Sequence, residues 1–116
     1  MKYLKTSLKE IETTTELKTV ISENENVMVC CGRMGSMCLP VFKIMEELEE
    51  EFSNIKFRAM AFDNPEAAPI KNAPECRGFM GLPFTMYYKN GKVVHATSSI
   101  QNIQQVTGIL NKVFGK

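Results

Sequence analysis

A chain of 116 residues with 44% hydrophobic and 23% charged residues can bury one core and is too apolar for a disordered tail. Fourteen basic against thirteen acidic residues leave a formal charge of +1, which argues against a broad nucleic-acid or membrane-surface footprint. No apolar run nears the roughly 20 residues of a bilayer span, and Met1–Glu10 lacks the continuous apolar stretch of a signal peptide. The expectation is a single domain over 1–116, soluble and cytoplasmic.

Leu8 to Glu12 is a weakly marked strand. Thr13 and Glu16 have capping-box spacing, and Leu17, Val20 and Ile21 behind them repeat at helical spacing up to Ser22–Asn26. Asn26 to Cys31 is a continuous apolar run, as expected of a central strand covered on both faces. Gly32 to Ser36 turns the chain, and from Met37 a helical stripe of Cys38, Phe42, Met45, Leu48 and Phe52 faces inward. With Ser36 as N-cap, Pro40 falls in or next to the first turn, where proline is tolerated.

Ile55 to Phe62 predicts another strand, closed by Asp63-Asn64-Pro65 and followed by a short helical piece over Glu66–Asn72. Phe84–Tyr88 and Lys92–Ala96 pair through an Asn90-Gly91 hairpin turn. Asn102 with Gln105 caps a last helix with the stripe Ile103, Val106, Leu110 and Phe114. The order β-α-β-α-β-α-β-β-α is that of an α/β domain, a central mixed sheet flanked by helices. Its active edge belongs where the central strand ends and the long helix begins.

Gly81-Leu82-Pro83, then Lys89-Asn90-Gly91-Lys92-Val93, together with Asp63-Asn64-Pro65 and this element order, resembles thioredoxin from about Leu8 to Phe114. The resemblance implies a thioredoxin-like fold and a cis Leu82–Pro83 peptide. Pro83 has no amide hydrogen and would leave the Leu82 backbone free to pair with an extended substrate beside the reactive sulfur. It also implies protein disulfide substrates and a thioredoxin-reductase-type electron donor, with a monomer expected. No organic cofactor is needed, and no Gly-rich nucleotide loop is visible.

Thioredoxins carry Trp-Cys-Gly-Pro-Cys at the strand-to-helix turn; this chain has Cys-Cys-Gly-Arg-Met-Gly-Ser-Met-Cys over 30–38 and no tryptophan. Aligned without a gap, Cys38 takes the place of the second cysteine, Gly35 that of the attacking one, Cys31 that of a tryptophan and Val29 that of a buried aspartate. Read with an insertion, Cys31 to Cys38 is an expanded redox motif.

Three of the four cysteines fall within nine residues, which in a reducing compartment points to redox chemistry or a metal, against plain buried hydrophobes. Cys38 is expected in the first helical turn, where free amides and the dipole, with Arg33 and the Ser36 cap, would favour a thiolate. Cys31 ends the strand, and Gly32 and Gly35 would let the loop bring it within about 7 Å of Cys38. Chain order favours Cys31 attacking and Cys38 resolving; the helix end favours the reverse, and the first is taken as the expectation. Cys30 points to the opposite face and reads as core, Cys76 as a loop thiol, His95 as surface. Met34, Gly35 and Met37, with Leu82 and Pro83, would line the substrate surface, and Met80 lies near it.

The expected function is a thiol–disulfide oxidoreductase exchanging a Cys31/Cys38 dithiol with protein disulfides. A non-catalytic binding module that kept the groove is the second reading. A cysteine metal site is the third, weakened because the spacing contains no Cys-x-x-Cys pair and adjacent strand cysteines diverge.

Overall fold

The computed structural model describes residues 3–115. In chain order it contains β1 (Lys9–Ile11), α1 (Thr14–Glu23), β2 (Asn26–Gly32), α2 (Leu39–Glu51) and β3 (Lys56–Ala61). A 3-10 turn (Pro65–Ala67), α3 (Ala68–Lys71) and a second 3-10 turn (Pro74–Cys76) lead to β4 (Phe84–Lys89), β5 (Lys92–Ser98) and α4 (Ile103–Phe114). The five strands form one sheet in the order β1-β3-β2-β4-β5. β2 pairs in parallel with β3 and antiparallel with β4, so the sheet is mixed and β2 is its centre.

Every residue of β2 is buried, which is why the run 26–31 carries no polar alternation. Successive β2 side chains enter two separate cores. Met28 and Cys30 join Val41, Phe42, Met45 and Leu48 of α2 and Val106, Leu110 and Phe114 of α4. Val27, Val29 and Cys31 join Leu17 of α1 and Ile70 of α3 on the other face. The sheet is therefore sandwiched, α2 and α4 on one side, α1 and α3 on the other. Among the described residues no helix is long and apolar enough to cross a membrane.

Local chemistry sets most of the boundaries. The Thr13 hydroxyl accepts from the Glu16 amide (3.0 Å), while the Glu16 carboxylate reaches the Glu12 amide (2.9 Å), so the expected box closes one residue early. Asn90 and Gly91 both take positive φ (53° and 82°), which the tight hairpin requires. At α4 the box is complete: Gln105 N–H donates to Asn102 and Asn102 N–H donates back to Gln105, each at 2.8 Å.

Three expectations are corrected. Ser36 does not cap α2: the helix begins at Leu39 with Cys38 in the N-cap position and no side-chain cap bond. The chain coils first, the Gly35 carbonyl accepting from both Cys38 (3.1 Å) and Leu39 (3.0 Å), and this turn does the work assigned to a serine. Ile103 is exposed instead of lining the α4 stripe, bordering an open cleft with Pro40 and Ile44 of α2. The helical piece after Pro65 splits into a 3-10 turn and one short α-turn, with Pro69 in the latter's opening positions.

Asn102→Ala removes one reciprocal bond of the α4 box and is expected to lower stability by about 1 kcal/mol in urea unfolding, with an unchanged m-value.

Candidate active site

The site lies at the C-terminal end of β2, where the strand passes into the 33–38 turn and α2. Its central feature is a close approach. A Cβ on Gly32 would lie 2.7 Å from Cys38 Sγ and 3.1 Å from Pro83 Cβ, so only glycine lets the sulfur settle between strand and proline. The Arg33 backbone N–H donates to Cys38 Sγ at 3.3 Å. The Leu82–Pro83 peptide is cis, and Pro83 is buried while Leu82 is half-buried, packing against both cores.

Cys38 retains only 2% of its surface, and burial raises its pKa above the ordinary thiol value. The Arg33 amide and then the Arg33 charge pull it back without reversing it. That direction runs against the expected thiolate. The Cys38 and Leu39 amides are already taken by Gly35, so the helix end offers the sulfur no free donors of its own. Desolvation then outweighs one amide and one exposed cation.

Arg33 does act on Cys38, chiefly through its main chain. Its guanidinium forks onto Asp63, with Nε at 3.0 and 3.1 Å and Nη2 at 2.8 Å from the carboxylate, and lies 5.2 Å over the Phe62 ring. That bond holds the Asp63 carboxyl below its usual range. Lys71 flanks the same ring at 5.1 Å and donates to the Phe62 carbonyl. The clamp ties the 33–38 turn to the end of β3. From sequence Asp63 reads only as part of the Asp63-Asn64-Pro65 turn and Phe62 only as the end of the strand, neither as a residue of the site.

The structure does not bring Cys31 and Cys38 onto one face. Cys31 is fully buried in the α1/α3 core, whereas Cys38 packs in the α2/α4 core, because β2 side chains alternate and Cys38 lies over Gly32. Burial pushes the Cys31 thiol up to about 12, with Lys71 only partly opposing it. Cys30 is held well above the ordinary value by burial, and the Thr85 hydroxyl donates to its sulfur at 3.9 Å. Cys76 is no plain loop thiol: it is buried in its 3-10 turn and its Sγ–H points to Met86 Sδ at 3.6 Å. All four cysteines are free thiols. Adjacent Cys30 and Cys31 diverge, and among the described residues no three His, Cys, Asp or Glu side chains are placed to hold a metal ion.

The expected contact residues divide. Met34 is half-buried, packing on the α2/α4 core and accepting the Lys5 amide at 3.1 Å. Gly35 is half-buried, Ser36 and Met37 are exposed, and Met80 is 97% exposed in the loop before Pro83. His95 is half-buried, edge-on to Tyr87.

Solved structures share this architecture. The thioredoxin from Trypanosoma brucei brucei superposes with a TM-score of 0.75 at 19% identity, covering 100% of this chain and 98% of its own. Plasmodium falciparum thioredoxin gives 0.71 at 20% identity, covering 91% and 99%. Oxidised mitochondrial thioredoxin 3 from Saccharomyces cerevisiae gives 0.73 at 17%, covering 90% and 95%. No family model matches the chain, and no curated protein sequence matches it. The chain thus has the thioredoxin fold, at identities where only the fold is shared ground.

Gly32→Ala forces Cys38 Sγ or Pro83 to move and is expected to destabilise by about 1–3 kcal/mol in urea unfolding. Faster alkylation of Cys38 should accompany it; unchanged stability and reactivity would show the approach to be slack. A second expectation concerns alkali. Cys31 stays protonated in the folded chain to about 12, whereas the unfolded chain releases the proton near the ordinary value of 9.0. The unfolded state therefore binds fewer protons across that window, and stability falls as pH rises through it. Urea titrations from about pH 8 to about pH 10 should show the decline, with a shallower slope in Cys31→Ala.

Proposed function

We propose that the protein is a thiol–disulfide exchange protein acting on protein disulfides, with Cys38 as the attacking thiol. The observation that carries the reading is the seat of the Cys38 sulfur: over Gly32 at the end of the central strand, where Pro83 borders the same Cα, with the Arg33 amide directed at it. A thiolate there gains a hydrogen-bond donor, and the outward Met37 and Met80 offer soft apolar contacts to a polypeptide client.

In the reaction the Cys38 thiolate attacks one sulfur of the client disulfide. The client S–S bond breaks, its far sulfur leaves as a thiolate and takes a proton, and a Cys38–client mixed disulfide remains. A second thiolate of the chain then attacks Cys38 Sγ, releasing the other client sulfur. The client has gained two electrons and the chain holds an internal disulfide, which a thioredoxin-reductase-type dithiol donor would reduce. A reducing compartment such as the cytoplasm suits four thiols kept reduced. The dithiol reading with Cys31 attacking has less support, since that thiol is buried on the opposite face.

One observation favours a second reading, a client-binding module without exchange: all four thiols are buried and all are held above the ordinary thiol pKa. Insulin disulfide reduction with a dithiol reductant separates the two. Exchange predicts catalysis by the wild type and at least about a tenfold loss in Cys38→Ser. Insulin reduction no faster than reductant alone, with retained binding of a disulfide-containing peptide by both proteins, would establish the module instead.

A further inference from the structure

We propose that Cys30, and not Cys31, is the thiol that closes an internal disulfide with Cys38. The proposal rests on Cys38 exchanging with client disulfides, and it names the second sulfur of that cycle.

The argument is one of faces. Cys30 and Gly32 are two residues apart in β2, so their substituents point to the same side of the sheet, about 7 Å apart along the strand. Cys38 Sγ occupies the space directly over Gly32, 2.7 Å from where a Cβ would be. Cys30 and Cys38 consequently share the α2/α4 core, while Cys31 projects into the α1/α3 core from the opposite side of the strand. A Cys31–Cys38 bond would have to pass around the main chain of the central strand, which is hydrogen-bonded through Cys31 to both neighbours. A Cys30–Cys38 bond stays on one side of the strand; rotation of both side chains and a shift of the α2 start toward Cys30 would close it.

One further observation agrees. The Thr85 hydroxyl, paired across β4, donates to Cys30 Sγ and would steady the thiolate as it forms. No other use for Cys30 is evident on this face.

The step balances. Cys30 loses its proton and attacks Cys38 Sγ of the mixed disulfide; the Cys38–client bond breaks and the client thiolate leaves with the electron pair. The Cys30–Cys38 bond is thereby the oxidised product, and the client disulfide is the oxidant.

The test uses the full chain with glutathione disulfide as probe, followed by peptide mapping without reduction. The wild type and Cys31→Ala are both expected to yield a Cys30–Cys38 linked peptide. Cys30→Ala and Cys30→Ser should instead accumulate glutathione on Cys38, with an adduct lifetime at least about tenfold longer than in the wild type. A Cys31–Cys38 link in the wild type, or equally rapid clearance of the adduct in the Cys30 variants, would overturn the proposal and leave exchange at Cys38 standing. Absence of any Cys38 adduct or link in every protein would remove exchange itself. The wild-type map decides the pairing even where a Cys30 variant folds poorly.

Discussion

The approach of the Cys38 sulfur to the bare Cα of Gly32 constrains everything at the active edge. The start of α2 and Pro83 both come within 3.1 Å of the point where a Gly32 Cβ would stand. A side chain at position 32 would push α2 away from the sheet or Pro83 away from the sulfur. Interiors packed to crystal-like density have little slack for either. The glycine thus acts less as a flexible joint than as a seat.

That seat sets protonation as well as position. A sulfur buried over the strand loses its water, and desolvation pushes its pKa up. The Arg33 amide and guanidinium oppose this, but the guanidinium is exposed and shared with Asp63, so water screens much of its effect. The Arg33–Asp63–Phe62 clamp is better understood as fixing the turn, which keeps the Arg33 amide aimed at the sulfur.

Much of the fold was legible because local chemistry and periodicity agreed. The apolar run 27–31, the Asn90-Gly91 turn and the Asn102/Gln105 box each have a one-step physical reason, and each stands where it was expected. The start of α2 was misjudged because Ser36 is a good N-cap residue by type, while the competing Gly35 carbonyl, accepting two amides, has no sequence signature. Ile103 fits the helical stripe by spacing, yet it borders an open cleft beside α2, which spacing does not encode.

For the candidate site the division is sharper. The sequence by itself determined which thiols exist, that Cys30 and Cys31 must diverge, and that Cys38 lies near the start of a helix following the central strand. Those are consequences of chain connectivity and of the two-residue period of a strand. Only the tertiary structure decided which face α2 covers, and hence that Cys38 shares a core with Cys30 and is separated from Cys31. Helix placement over a sheet follows from the summed packing of side chains distant in sequence, and so does the loss of water that keeps each thiol protonated; neither is a property of the nine residues around the cysteines.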